Sequence, residues 1–294
     1  MAELVRPPRP ASRRRAWLAS LRRDPIVLIA LVVLAVVVLA AVAGPWITPY
    51  SPTAQDLSKR LAPPFAPQPG VSVLGADALG RDILSRIIAG ARISIVVAAA
   101  AVLLSGVIGV ALGVIAGMSR GWLGALIMRF ADIQFSIPYL VLALALVAVV
   151  GPGLINIVVV LGVSGWVPYA RTARAHVLQL RELEFIEASR SVGTSDTRIV
   201  LRHMLPHVLG VVGVIATIES ARVIITEASL SFLGLGVPIG TATWGVMIAD
   251  GRNYLGTAWW VSALPGLAIV ITVVALNIVG DWLSDLANPV LRNR

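Results

Sequence analysis

Two histidines stand at a spacing that could bind a metal. His203 and His207 are four residues apart, so a helix would bring both imidazoles to one face, as in zinc sites. A zinc metalloprotease also needs a glutamate directly after the first histidine, and Met204 occupies that position. No fixed third ligand is apparent from the sequence, and Asp77 and Asp82 are similarly weak candidates as ligands. We therefore predict no metal site.

The remaining reactive side chains exclude further kinds of chemistry. Lys59 is the one lysine among 24 basic residues, and it stands between Ser58 and Arg60. A P-loop holds phosphates with a Gly-Lys-Ser/Thr sequence, so this chain cannot bind ATP through a Walker A lysine. The lack of cysteine excludes disulfides, thiolate metal sites and cysteine nucleophiles. Since no nucleophile stands with a recognisable base, a membrane-embedded enzyme is not favoured.

The composition indicates a membrane protein. The 294 residues are 57% hydrophobic and 13% charged. Several apolar runs approach ~20 residues, about what a helix needs to cross a bilayer. These runs lack the period-two alternation of barrel strands. The net charge of +9 comes from arginines that mark cytoplasmic loops, so we predict membrane lipid as a partner and no nucleic acid.

We predict an all-α membrane protein with six transmembrane helices and a cytoplasmic N-terminus. Residues 1–24 form a cytoplasmic basic segment, and 25–47 form the first transmembrane helix, longer than the ~7–15 residues of a signal-peptide core. Residues 48–92 are extracytoplasmic, with a Pro-rich segment and then an amphipathic helix at the membrane interface; a solvated connector is the alternative. Residues 93–290 form a five-helix core, with predicted spans at 93–116, 126–150 (broken near Pro138), 154–169, 208–230 and 259–279.

Three smaller features accompany this topology. Thirteen arginines fall in 1–24 and 170–207 (seven plus six), which places both segments in the cytoplasm. Gly106, Gly109 and Gly113 would give the second span a smooth face on which another helix packs closely. An interfacial belt on the outer side is expected to hold Trp244, Trp259 and Trp260.

Three ionisable residues in the fifth span are candidates for a pathway or a gate, because charges inside a membrane mark function by default. Glu219 and Arg222 are at i, i+3 and can pair on one helix face. The pair either lines a pathway and contacts its solute, or it is an internal ion pair that fixes helix packing. Glu227 lies nearer the outer end, where it could form a gate. Asp281 and Asp285, near the inner end of the sixth span, are expected to be interfacial or structural.

The cytoplasmic loop 170–207 is polar and arginine-rich. Residues 183–192 favour a short helix that stops at Gly193. Thr194 or Ser195 can then cap a second helix that leads into the fifth span. A short helix lying across the spans could fit a cleft on a cytoplasmic partner, although an ordinary connecting loop would explain the same residues.

One stretch of this loop, EASRSVGTSDTRIVLRHMLP, resembles the EAA motif of the permease subunits of bacterial ABC importers. Ser189 replaces the second alanine of that motif, and His203 stands at its isoleucine position, as is usual in the peptide-importer branch. The residues that match in register are Glu187, Ala188, Gly193, Leu205 and Pro206.

Four further stretches resemble the C-type subunit of the dipeptide/oligopeptide/nickel permease family. They are LGADALGRDILSRIIAGARIS, EASLSFLGLG, WGVMIADGRNYL and NIVGDWLSDLANP. The resemblance covers about residues 20–290. Because five motifs occur together in register, we identify the chain as a member of this family.

The resemblance implies a type I ABC importer permease fold in the bacterial cytoplasmic membrane. The chain would form half of a translocation pathway for di- or oligopeptides, in which the Glu219–Arg222 pair could contact a zwitterionic peptide. Its partners would be a B-type permease, two cytoplasmic ABC ATPases and an extracytoplasmic substrate-binding protein. The chain would hold no cofactor and no catalytic residue, since ATP and Mg²⁺ bind the ATPases. The residues implied to couple to an ATPase are Phe185, Ile186, Glu187, Ala188, Ser189, Gly193, Leu205 and Pro206.

Two other functions remain open from the sequence. The same machinery could import nickel chelates or glutathione, because the separate binding protein sets most of the selectivity. A more distant alternative is an ion-driven secondary transporter. Such a protein is expected to show repeated halves and discontinuous helices, and the sequence shows no clear repeat.

Overall fold

The computed structural model describes residues 24–66, 73–119, 121–237 and 240–287. Nearly all of the basic segment predicted at 1–24 lies outside these ranges. Within them the regular structure is helical, apart from one isolated antiparallel bridge. The helices in chain order are α1 Pro25–Ile47, α2 Ile83–Met118, α3 Trp122–Phe135, α4 Tyr139–Val150, α5 Leu154–Ser164, α6 Trp166–Leu180, α7 Glu184–Ser191, α8 Asp196–Ile199, α9 Leu205–Phe232, α10 Trp244–Gly251 and α11 Trp260–Ala287.

Shorter elements complete the chain. A π-helical segment, Val200–Met204, joins α8 to α9, and 3₁₀ turns cover Leu57–Lys59 and Arg252–Tyr254. Together α8, the π segment and α9 form one long helical stretch, so the second helix predicted in the loop does lead directly into the fifth span.

Five stretches are long and apolar enough to cross a membrane, namely α1, α2, α5 with α6, α8 with α9, and α11. The pair α3 and α4 makes a sixth, broken span, with its halves bent by 90° around Pro138. Proline lacks an N–H group and disfavours helix at the residue before it, so the chain leaves α3 and restarts as α4. With the bent pair counted as one span, the prediction of six spans and a break at Pro138 is confirmed.

The start of α2 differs from the prediction. The amphipathic helix expected at the end of 48–92 is not a separate element, because α2 runs without interruption from Ile83 to Met118. The polar residues around its start are not solvated: Arg81, just before the helix, and Arg86, in its first turn, are buried. Asp82 caps the helix, and its carboxylate accepts from the N–H of Ser85 at 2.8 Å. These side chains find polar partners inside the protein, which the sequence pattern does not reveal.

Two of the three tryptophans predicted at the interface are buried. The indole N–H of Trp244 donates to the carbonyl of Ile87 at 3.0 Å, and that of Trp260 donates to the carbonyl of Ala76 at 3.3 Å. Trp259 is exposed and is free to lie in an interfacial belt. The prediction is therefore wrong for Trp244 and Trp260, since each hydrogen-bonds to the backbone of another segment instead of reaching the membrane surface.

The loop predicted at 170–207 is helical at its start. Residues 170–180 form the last turns of α6, which begins in the fourth predicted span. α6 stays helical there because apolar residues recur along one face, and that face is buried against α2 and α9.

The glycine face predicted on α2 is confirmed as a close contact with α6. A Cβ atom at Gly109 would lie 2.5 Å from the Cβ of Tyr169, and one at Gly113 would lie 2.7 Å from the Cβ of Ala173. No larger residue fits at either position without moving a helix. Gly106 is looser, since a Cβ there would lie 3.8 Å from the Tyr169 ring. The resulting contact holds the α6–α7 region against the body of the protein.

Candidate functional site

The short helix α7 lies where the sequence predicts it, and its C-terminal end has a complete Schellman motif. Gly193 adopts φ +83°, a left-handed conformation that favours glycine. The N–H of Gly193 donates to the carbonyl of Arg190 at 2.9 Å, and that of Thr194 donates to the carbonyl of Ser189 at 3.1 Å. A side chain at Gly193 would meet nothing within 4 Å, so its backbone angle, and not lack of space, accounts for the glycine.

One face of α7 is anchored in the protein. Ile186 is fully buried in an apolar cluster with residues of α6, the π-helical segment and α9, among them Tyr169, Val177, Met204 and Val208. An eight-residue helix is marginal without tertiary contacts, so α7 depends on this burial for its stability. Because Ile186 must face the cluster, the burial also fixes the rotation of α7 about its axis.

The opposite face of α7 is exposed and partly apolar. Phe185, Ala188 and Val192 recur at spacings of three and four, so they form a single stripe. Phe185 is 45% exposed and Val192 is 82% exposed. An apolar stripe outside the membrane spans and without cover in the described part of the chain is typical of a protein contact surface.

The polar residues of the motif take three different positions. Glu187 is exposed in the first turn of α7. Ser189 is half-buried, and its hydroxyl donates to the carbonyl of Phe185 at 2.7 Å. Arg190 lies in the last turn, where a cation is favoured by the helix dipole, and it pairs with Asp196 of α8 at 3.1 Å.

The remaining motif residues lie where α8 joins α9. The ring of His203 packs edge-on against Phe185, with ring centroids 6.1 Å apart. Leu205 is half-buried, whereas Pro206 and His207 are exposed. The structure thus brings His203 to α7. The described ranges contain no group of three or more His, Asp or Glu that could hold a metal ion.

Glu219 and Arg222 form the predicted ion pair on α9. The Arg222 guanidinium also lies 4.2 Å from the centroid of the Tyr139 ring. Its Nε is buried and has no hydrogen-bond partner among the described residues. Arg222 lines a cavity of about 170 Å³ at the break between α3 and α4. The pair is therefore internal to the chain and also borders open space, so both predicted roles are compatible with its position.

Two residues that the sequence did not single out hold this break in place. The hydroxyl of Tyr139 donates to the carbonyl of Leu161 at 3.0 Å. Gln134 donates to the carbonyl of Ser164 at 2.6 Å and accepts from the indole N–H of Trp166 at 2.7 Å. The break in one span is thus bonded to the junction between α5 and α6. The sequence signal that could have identified these two residues is a glutamine and a tyrosine close to a proline within an apolar run.

Glu227 is 1% exposed. Its carboxylate accepts from the hydroxyl of Ser231 at 2.8 Å, and from that of Ser94 on α2 at 3.5 Å. Glu227 therefore joins α9 to α2 through polar contacts inside the protein.

The sequence analysis did not predict an ion-pair network of four charged residues, three of which are buried. Arg86 forms an ion pair with Asp77, and Arg81 contacts the same carboxylate at 2.7 Å. Asp250 of α10 accepts from Arg81 at 2.9 Å and from Arg86 at 3.2 Å. No local pattern signals this contact, because Asp250 is more than 160 residues away from both arginines.

Two family profiles match the chain. A profile described as a binding-protein-dependent transport system inner membrane component matches residues 109–293. A second, described as the N-terminal TM domain of oligopeptide transport permease C, matches residues 12–64.

Curated relatives match over nearly the whole chain. The di/tripeptide transport system permease protein DppC of Pseudomonas aeruginosa (strain UCBPP-PA14) is 41% identical, over 87% of this chain and 86% of the relative. The dipeptide transport system permease protein DppC of Bacillus subtilis (strain 168) is 36% identical, over 99% and 90%. The nickel transport system permease protein NikC of Escherichia coli (strain K12) is 40% identical, over 89% and 93%.

Solved structures share the fold at lower identity. Two structures of the MetNI methionine ABC transporter in inward-facing conformations align with TM-scores of 0.53 and 0.55 and identities of 22% and 19%. The alignments cover 69% and 70% of this chain, and 96% and 98% of the matched chains.

Proposed function

The chain belongs to the family of binding-protein-dependent transport system inner membrane components, and from that membership we propose a specific role: it is the C-type permease subunit that couples ATP hydrolysis on a partner to peptide import. The class of protein, its membrane and its fold follow directly from the family and structural matches. The chain is a multi-pass permease of the bacterial inner membrane with a type I ABC importer fold.

The observation that carries the proposal is the two-faced helix α7. Ile186 anchors one face in the body, while Phe185, Ala188 and Val192 present an exposed stripe on the other. A rigid helix held in this way can fill a groove on a partner and transmit its movement to the spans. We propose that the groove belongs to a cytoplasmic ATPase and that Glu187 forms a charged contact at its edge.

Movement of α7 would reach the membrane through two routes. Ile186 packs with residues of α6 and α9, both of which continue into spans. Phe185 contacts His203 in the π-helical segment at the start of α9, and π segments are frequent at functional positions. On this proposal Leu205 and Pro206 begin the helix that is moved, and the permease pair alternates between two access states.

The partners follow from the same proposal. A B-type permease completes the pathway, two ATPases bind ATP and Mg²⁺, and an extracytoplasmic protein delivers the substrate. This requires a cytoplasmic N-terminus and a cytoplasmic α7, in agreement with the thirteen arginines of 1–24 and 170–207. Catalysis on another chain accounts for the missing Walker A lysine.

Peptides are the favoured substrates. Relatives named as di/tripeptide and dipeptide permeases align over most of their length with this chain. We propose that Arg222, which borders the cavity at the α3–α4 break, contacts the carboxylate of a passing peptide. Glu227 is proposed as a tether between α2 and α9 that changes when the outer side opens. Nickel chelates are the second candidate, favoured by the 40% identity to a nickel permease.

The experiment is uptake by the assembled transporter, with all subunits produced together in cells that lack their own peptide importers. Labelled dipeptide and Ni²⁺ are offered separately, and the better substrate decides between the two candidates. Glu187→Lys and Gly193→Pro should abolish uptake while the protein still inserts and assembles with the B-type permease. The control is Asp285→Lys, which reverses an exposed charge on α11. Unchanged uptake in both α7 variants would overturn the coupling role.

A further inference from the structure

Two of the described spans are interrupted, and the interruptions meet. One is the 90° bend between α3 and α4 at Pro138, and the other is Gly165, which separates α5 from α6. α6 carries Pro168 in its first turn, and proline has no N–H to donate to the carbonyl of Ser164, four residues earlier. The last turn of α5 therefore needs a donor from another helix, because a buried carbonyl without a partner is unfavourable.

Side chains of α3 and α4 donate to the last turn of α5. The side-chain amide of Gln134 donates to the carbonyl of Ser164 at 2.6 Å, and the hydroxyl of Tyr139 donates to the carbonyl of Leu161 at 3.0 Å. Tyr139 is also the first residue of α4, directly after Pro138. Its side chain is thus held at the backbone by the start of a helix and at the hydroxyl by a second span, which fixes the orientation of the ring.

The face of this ring lies against Arg222 of α9. The Arg222 guanidinium carbon is 4.2 Å from the centroid of the Tyr139 ring, inside the ~6 Å over which an aromatic face attracts a cation. Glu219 also pairs with Arg222, but both residues belong to α9 and move together with it. The ring is therefore a contact that sets the position of the guanidinium relative to other spans, which the ion pair on α9 cannot do.

The same guanidinium borders the cavity of about 170 Å³ at the α3–α4 bend. Arg222 is the one charged residue among the described residues that line this cavity, and Tyr139 lines it as well. Glu219 is buried and does not belong to the lining. A negatively charged solute in the cavity would therefore meet a cation whose place is set by the ring beside it.

We propose that Tyr139 is a positioning residue for transport: its ring, anchored through its hydroxyl to the end of α5, holds the Arg222 guanidinium at the cavity, where it meets the carboxylate of a passing peptide. A shift of either interrupted span moves the ring and, with it, the cation. Tyr139 thereby sets the preference of the pathway for substrates with a free carboxylate. This preference rests on the proposed function, whereas the contact between the ring and the guanidinium does not.

The first experiment measures the position of Arg222 without transport. The assembled transporter in detergent is treated with phenylglyoxal, which modifies accessible guanidinium groups, and the modification of Arg222 is read by peptide mass spectrometry. Tyr139→Leu should raise the rate several-fold, because the ring no longer covers the guanidinium, and Tyr139→Phe should raise it less. The matched control is Phe130→Leu, which removes a 60% exposed ring from α3 and should leave the rate unchanged. Equal rates in wild type and Tyr139→Leu would overturn the proposal.

The second experiment compares the maximal uptake rates of a labelled dipeptide and of its C-terminal amide, each at saturating binding protein. Wild type should prefer the dipeptide. Tyr139→Leu should lower the rate for the dipeptide by about tenfold and leave that for the amide unchanged, because only the dipeptide presents a carboxylate to Arg222. An equal loss for both substrates would overturn the positioning role, since a general packing defect slows both.

A further pair of variants separates loss of the ring contact from misfolding. Phenylalanine and pentafluorophenylalanine in place of Tyr139 have nearly the same shape, but fluorine withdraws negative charge from the ring face. The fluorinated ring should leave Arg222 more open to phenylglyoxal at an equal melting temperature, and equal modification would overturn the ring contact. If Tyr139→Leu exposes Arg222 while Arg222→Ala transports peptide normally, the ring contact is supported and the proposed role of Arg222 in transport is rejected.

Discussion

The charged residues near the two ends of α2 differ in what surrounds them. Near its start, Asp77, Arg81 and Arg86 are buried and pair with one another and with Asp250. Near its end, about 45 Å further along the helix axis, α7 carries its charges and apolar residues on the surface. The first group satisfies its charges within the chain. The second leaves an apolar stripe and Glu187 without cover in the described structure.

This difference separates a structural role from a binding role. A charge that is buried and paired inside one chain has nothing left to offer a partner, and its removal leaves another charge unpaired. An exposed helix with one anchored face contributes little stability through its outer residues. Variants of the ion pairs near the start of α2 should therefore lower the stability of the protein. Variants of the exposed residues of α7, near the end of α2, should lower transport instead.

The largest expected effect is at the buried network. Arg86→Ala removes one of the two arginine partners of a buried carboxylate, Asp77, and should cost up to about 3–5 kcal/mol of stability. The measurement is the melting temperature in detergent, together with the yield of inserted protein. Arg92→Ala, on the same helix but exposed, is the matched control and should change neither. Equal melting temperatures for Arg86→Ala and Arg92→Ala would contradict a structural role for the buried ion pairs.

The next largest effect should distinguish the buried face of α7 from its exposed face. Ile186→Ala opens a cavity in a buried cluster and should lower stability by about 2–5 kcal/mol. Phe185→Ala, one position away but 45% exposed, should leave the melting temperature nearly unchanged and lower peptide uptake by about tenfold. If Phe185→Ala destabilises the protein and leaves uptake intact, the exposed stripe is not a docking surface.

Arg222 lies between these extremes, because it is paired with Glu219 and also borders a cavity. Arg222→Ala should lower peptide uptake, and charge-conserving Arg222→Lys should restore part of it. Melting temperature is measured alongside. A decrease in stability without any change in the uptake of correctly inserted protein would assign the pair to helix packing alone.

The smallest effect is expected for a surface pair in the segment between α1 and α2. Lys59 contacts Asp56 at 2.8 Å, and its hydrogen bond, together with those from Ser58, lowers the pKa of Asp56 to about 2. A folded-state pKa below the usual value of 3.8 contributes stability above about pH 4 that is lost as the pH falls toward 2. Lys59→Gln should remove part of this contribution.

Because the pair is exposed, solvent screens it. The melting temperatures of wild type and Lys59→Gln should differ slightly at pH 7 and converge between pH 4 and pH 2. A difference as large as that for Arg86→Ala would show that burial is not what distinguishes the network from other ion pairs.

Much of the fold and part of the site were predictable from local patterns. The apolar spans, the break at Pro138 and the glycine contact between α2 and α6 agree with the sequence. So do the stop of α7 at Gly193 and the Glu219–Arg222 pair. The role of α7 as a coupling element stays a prediction.

The errors share one cause. Residues 81–88 have the helical periodicity of a surface helix, yet Arg81 and Arg86 are buried. Trp244 and Trp260 have the amphipathic character of interfacial residues, yet their N–H groups bond to the backbone of other segments. In each case a polar group was assigned to water because its partner is distant in the chain.

The sequence by itself determined the membrane class, the number of spans, the ends of α7 and the family. These depend on composition, on helical periodicity and on backbone preferences of single residues such as Gly193, all of which act within a few positions. Only the tertiary structure decided which charges are paired and which are left exposed. Asp250 meets Arg86 across 164 residues, and α6 and α9 bury Ile186 while leaving Phe185 exposed. Burial depends on which surfaces meet, and that requires the packed helices.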